Sequence, residues 1–177
     1  MKDGTWQGIA LQNKKEEKMP VKEDDEKNFW NLGILGKDTA KSLLNVVYFY
    51  NGKLFGLCTG EHRNLSLNNF EIAYKFILFE ENVSKTFRGG LLDLKYKPRC
   101  HNAGETHEPC LVELYWLYIS LIESFAKDLG VFYFRPNGKK NGFDKLPVGI
   151  NTHNSILPDM YKATGVKRIT SFHILYV

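Results

Sequence analysis

Apolar residues are spread very unevenly along this chain. Residues 13–28, NKKEEKMPVKEDDEKN, hold almost none and mix both charges, so residues 1–28 read as a disordered lead-in, with the fold opening near Phe29 and Trp30. Behind Asp38 and Thr39, the stretch AKSLLNVVYFYN predicts a largely buried helix from Ala40 to about Asn51. GLCTGEHRNL, Gly56 to Leu65, predicts a second helix start. Thr59 is its expected N-cap, His62 stands where a capping-box glutamate would sit, and Leu65 and Leu67 supply burial. The period then shortens. YKFILFEE, the Gly-Gly turn of SKTFRGGL and the run LDLKYKP predict short strands of an antiparallel sheet, and CHNAGETHE reads as polar loop. Pro109 suits the first turn of a long helix, CLVELYWLYISLIESFAKDL, in which Leu111, Leu114, Tyr115, Tyr118 and Leu121 recur at helical spacing. VFYFRP predicts a short strand and RPNGKKNGFDKLPVG a loop, its first half a basic surface hairpin. NSILPDMYKATG predicts a helix with Pro158 in its first turn and Gly165 as its stop. The expected fold class is mainly α with a small antiparallel β-sheet (α+β), in one domain over residues 29–177. The sequence closes on TSFHILYV, an apolar run with no turn or cap, which reads as a domain incomplete at its C-terminus.

Composition narrows the class. A chain of 177 residues with 43% hydrophobic and 14% aromatic content can bury one sizeable core. No apolar run approaches the ~20 residues of a membrane-spanning helix, and no secretory signal is legible, so no membrane partner is expected. The sequons at Asn64 and Asn82 then read as incidental. Three cysteines at irregular spacing suit free thiols in a reducing compartment, which places the chain in the nucleus or the cytosol. The net charge of +4 is concentrated late: residues 1–30 balance to −1, residues 31–84 to zero and residues 85–177 to +5. Such an excess permits a polyanionic partner without requiring one.

Candidate chemistry is sparse. Cys100, His101, His107 and Cys110 crowd into CHNAGETHEPC, but the adjacent Cys100 and His101 lack the paired spacing of zinc ligands. A buried Cys110 behind an exposed loop is the favoured reading, and no metal or cofactor is expected. RPNGKKNG lacks the order of a phosphate-binding loop. Cys58 with His62 four residues on could form a nucleophile–base pair, against the commoner alternative of an inert thiol. The Glu61-His62-Arg63 triplet also reads simply as helix capping plus a surface ion pair.

GLCTGEHRNL resembles the Gly-Leu-Arg-x-x-Glu element of tyrosine recombinases, in the Crypton-type version where the glutamate is followed by His-Arg-x-Leu. That version is also found in the C-terminal domain of zinc-finger MYM-type proteins and of glutamine-rich protein 1. FWNLGILG is similar to the family's opening, ENVSKTFRGGL to its β-hairpin and EPCLVELYWLYISLI to its Cys-Pro-Val helix. FYFRP and LPVGINTHNSILPDMYKATGVK resemble the approach to its His-x-x-Arg motif. The likeness runs in order from about Phe29 to Thr170. It implies chemistry in which a tyrosine attacks a DNA phosphodiester, two arginines hold the phosphate oxygens and a lysine protonates the leaving oxygen.

Residue by residue, the resemblance also implies that this chemistry is lost. Cys58 stands where the first arginine belongs and offers no bidentate cation. Lys85 fits the hairpin lysine. Thr170 and Ser171 match the approach to His-x-x-Arg, but Phe172 intrudes. His173 falls one place late, and Ile174, Leu175 and Tyr176 follow it where an arginine is needed. Tyr176 lies too early to be the nucleophile. Cys58, Lys85 and His173 are thus remnant positions, and an inactive recombinase-like domain with weak DNA or chromatin association is expected in the nucleus. Arg63, Lys85, Arg88, Lys139, Lys140, Lys167 and Arg168 are the candidate phosphate contacts; no small-molecule substrate is expected. A protein-interaction module, a functionless transposon remnant and an active enzyme working with a partner chain are the alternatives.

Overall fold

In the computed structural model, residues 21–73, 76–80, 110–138 and 142–166 are described in full, and residues 99–102 through their backbone. The predictions for SKTFRGGL and LDLKYKP, and those for His107, Pro109 and the C-terminal run, lie outside these residues. The chain begins with helix α1, Glu23–Asn31. The expected boundary at Phe29 is therefore displaced, and its cause lies in the acidic run. Glu23, Asp24, Asp25 and Glu26 fill the first turn, where negative charge offsets the helix dipole, and the Asp25 carboxylate accepts from the Lys22 N–H at 3.0 Å. Three side chains then tie α1 down. Phe29 is fully buried against the edges of Phe49 and Tyr161, Glu26 accepts from Tyr50 and pairs with Lys53, and Asp25 accepts from Tyr161 at 3.0 Å.

Helix α2, Ala40–Phe55, starts where the sequence places it. Thr39 Oγ1 accepts from the Ser42 N–H at 3.0 Å, and Ser42 Oγ accepts in return from the Thr39 N–H. Leu43, Leu44, Val46, Val47, Tyr48, Phe49 and Tyr50 are all buried, so α2 is enclosed on every side and forms the centre of the molecule. It ends at Gly56, whose φ of +70° is the left-handed cap that a side chain would strain. The short helix α3, Thr59–Arg63, and a 3-10 turn, Leu67–Asn69, lead into strand β1, Phe70–Ala73. Strands β2, Phe76–Phe79, and β3, Arg99–Asn102, complete an antiparallel sheet in the order β1-β2-β3.

This sheet sits between helices as expected, with different membership. β1 was not anticipated, and the head of the supposed polar loop CHNAGETHE is strand, with Cys100 opposite Leu78 and His101 opposite Ile77. Pairing to β2 satisfies a backbone that the polar side chains of that segment would not by themselves commit to a strand. Phe55 stacks on Phe79 at 4.8 Å and Phe70 on Phe132 at 4.5 Å, which joins the sheet to the helical core.

Helix α4, Leu111–Leu129, matches its prediction and turns Val112, Leu114, Tyr115, Tyr118, Ile122 and Phe125 inward. Strands β4, Phe134–Asn137, and β5, Gly142–Pro147, form a second, two-stranded antiparallel sheet where a loop was expected beyond the basic hairpin. Two of its aromatics face the helices: Phe134 is fully buried against the edge of Phe125 at 4.6 Å, and Phe143 meets the Tyr118 ring edge-on at 5.0 Å. Helix α5, Ile150–Ala163, begins earlier than predicted and holds Pro158 inside it rather than in its first turn. A proline there removes the bond to the Asn154 carbonyl; both residues are exposed, so water can take that carbonyl. Gly165 closes the helix end in a left-handed conformation, as expected. The molecule is an α+β fold, mainly α with two small antiparallel sheets.

Candidate functional site

The stretch Gly56 to Leu65 folds as a tight, self-contained unit at the end of α2. Cys58, not Thr59, is the N-cap of α3, and Glu61, not His62, is the capping-box residue: its carboxylate accepts from the Cys58 N–H at 2.7 Å. The frame is shifted by one residue because Thr59 already has helical geometry. Glu61 is thereby engaged in capping, and among the described residues no ion pair joins it to Arg63. Cys58 and Arg63 are exposed at the two ends of the helix, and His62 between them is fully buried.

His62 is held by a chain of buried groups. Tyr115 donates its hydroxyl proton to Asn51 Oδ1 at 2.6 Å, and Asn51 Nδ2 donates to the Tyr133 oxygen at 2.7 Å. The Tyr133 hydroxyl, having accepted from Asn51, has its own proton for His62 Nδ1, 2.7 Å away. The direction of this last bond follows the tautomer of the ring. The ring also lies flat on Tyr48, centroid to centroid 4.0 Å. Burial, reinforced by the nearby His153, lowers the His62 pKa to about 3, while a hydrogen bond with the Leu57 backbone pulls weakly the other way. Burial likewise lowers His153 to about 4, with the positive charge of Arg63 adding to the effect. Burial pushes the Tyr48 phenol up to about 12 and raises Tyr115 and Tyr133 well above the usual phenol value.

These facts dissolve the Cys58–His62 pair. His62 Nδ1 is bonded to Tyr133, and the ring is confined inside the core while the thiol faces solvent. The sequence could not show this, because the partners Asn51, Tyr115 and Tyr133 are scattered over three elements.

Of the remaining site candidates, Cys110 is half-buried at the N-cap of α4, not deep in the core, and Cys100 and His101 lie on β3. No group of three or more His, Cys, Asp or Glu residues able to hold a metal occurs among the described residues. Lys85, Arg88, Lys139, Lys140, Lys167, Arg168 and His173 lie outside the described residues. Sequence reasoning passed over one cation, Arg135. Its guanidinium lies 4.0 Å from where a side chain on Gly149, the N-cap of α5, would begin. Arg63 acts electrostatically on His153 in the first turn of the same helix. Two exposed arginines from different elements therefore border the start of α5, where no acidic residue stands in the first turn.

Residues 20–82 match a family model described as a domain of unknown function, DUF3504. The matched segment runs from α1 through β2 and includes the whole Cys58–Arg63 turn. No curated protein and no solved structure matches the chain. No helix among the described residues is long and apolar enough to cross a membrane.

Proposed function

We propose that this chain is a non-catalytic domain of the Crypton-type tyrosine-recombinase kind that associates weakly with the backbone of nucleic acid in the nucleus. The observation that carries the reading is the arrangement of the Gly56–Leu65 turn. The position that the resemblance assigns to a phosphate-holding arginine is solvent-facing at the head of α3, and it holds a thiol. A cysteine there cannot neutralise charge building on a phosphate, and the neutral, enclosed His62 cannot replace it. What the turn retains is Arg63, which with Arg135 favours an anion beside α5.

The loss of chemistry is tested by incubating the chain with a nicked, labelled duplex and resolving protein–DNA adducts under denaturing conditions. No adduct is expected from the native chain or from Cys58→Arg, since the motifs implied for the second arginine and the tyrosine are not in this sequence. An adduct from either would overturn the reading. The retained association is tested with Arg63→Ala and Arg135→Ala, each expected to weaken duplex binding and to reduce its dependence on salt by about one counterion. Unchanged binding in both would remove these arginines from the proposal.

A specific observation favours a second reading, a protein-interaction module. Trp116 is 51% exposed and Leu117 36% exposed on the outer side of α4. An exposed tryptophan beside a leucine is the kind of anchor that protein interfaces use. A chromatin partner retained after nuclease treatment and lost in Trp116→Ala would favour this reading over the first.

A further inference from the structure

Within Gly56–Leu65 the backbone bonds close on themselves or on the end of α2. Glu61 and His62 donate to the Cys58 carbonyl, Asn64 to Glu61 and Leu65 to His62, while Leu57 reaches back to Asn51. Only Leu57, His62 and Leu65 are buried. Leu57 and Leu65 bring undirected apolar burial. The directed attachments are side-chain bonds that cross to other elements. One is the Tyr115–Asn51–Tyr133–His62 relay. The other attachment is the face of the His62 ring, stacked on Tyr48 at 4.0 Å; Tyr48 in turn donates to the His153 carbonyl of α5 at 2.8 Å.

We propose that Gly56–Leu65 is a strap latched to the core through His62, by its hydrogen bond with Tyr133 and its stacking on Tyr48, able to open as a unit while α2 and α4 stay folded. The groups facing the His62 ring are Tyr48 from α2, Tyr133 ahead of β4 and His153 from α5, with Arg63 on its own helix. At the strap's leading edge, Gly56 already uses the left-handed backbone that lets the chain turn between α2 and α3. Opening would carry Cys58 and Arg63 away from α5 together, which links the exposure of the candidate surface to a buried histidine. The device stands on the core geometry and holds whatever that surface binds.

Hydrogen exchange at pH 7, read peptide by peptide, tests it. In Tyr133→Phe the relay loses both bonds at the Tyr133 hydroxyl, and the lost bond to His62 alone is expected to make amides of residues 57–65 exchange about tenfold faster. Peptides of α2 and α4 are expected to keep native protection. An increase of the same size across α2 and α4, or none in residues 57–65, would overturn the latch. Should Tyr133→Phe fail to fold, the native chain in low denaturant decides. The strap should open at lower denaturant than α2; opening together with α2 would overturn the proposal.

Discussion

At position 62 the chain places an ionisable ring in its interior, and the consequences can be worked through one group at a time. His62 is neutral in the fold and becomes protonated only near pH 3, whereas an unfolded histidine takes up its proton near pH 6.5. Below about pH 6.5 the unfolded state therefore binds more protons, and stability falls as pH falls until the folded value is reached. His153, depressed to about 4, acts in the same direction over a narrower window. Denaturant melts between pH 7 and pH 4 should show a loss approaching about 1.4 kcal/mol per pH unit from His62 alone. A His62→Gln variant should be less stable at pH 7 and show a flatter decline. If its decline is as steep as that of the native chain, His62 is not the responsible group. The neighbouring relay makes a second demand: Tyr133→Phe leaves His62 Nδ1 and Asn51 Nδ2 without their shared partner and should cost about 1–3 kcal/mol at neutral pH.

Among the elements, α2 was the most legible in the sequence and α1 the least. The start of α2 is written in adjacent residues, since Thr39 and Ser42 cap each other locally, and its apolar run is long enough to fix the helix. In α1 the local pattern is all charge, and what makes it a folded element is distant: Tyr50, Lys53 and Tyr161 receive its acidic side chains, and Phe49 receives Phe29. Phe29→Ala should therefore cost about 3–5 kcal/mol in chemical denaturation, where a mere boundary residue would cost little. The strands β3 and β5 were missed for the same reason. Their polar sequence gives no alternation to read, and each exists because a partner strand supplies its hydrogen bonds. Pro158 was placed in a first turn because prolines belong there, and α5 instead carries it mid-helix on an exposed face. Replacing it by alanine restores the bond to Asn154 and should raise the melting temperature, with a gain of up to about 3 kcal/mol. A lower melting temperature would mean that packing exploits the local bend.

For the whole molecule, an α+β architecture followed from the pattern of apolar runs alone, and the candidate site followed only in part. That Gly56–Leu65 was unusual could be read from its residue types. That its cysteine would be outside, its histidine inside and its glutamate engaged in capping required the fold, because His62 is held by residues from position 48 to position 153. Arg135 was passed over since nothing in VFYFRP connects it to Gly149 or to the start of α5. The surface beside α5 combines two exposed arginines, an exposed thiol at Cys58 and no carboxylate in the helix's first turn, features that favour the polyanion association proposed for it.

The measurement that tests this account most directly is fluorescence anisotropy of the chain titrated against a labelled random duplex at about 50 and about 200 mM salt. The account predicts weak binding at the lower concentration that falls at least tenfold at the higher one. Binding unchanged by salt, or none by a chain whose circular dichroism shows it folded, would contradict it.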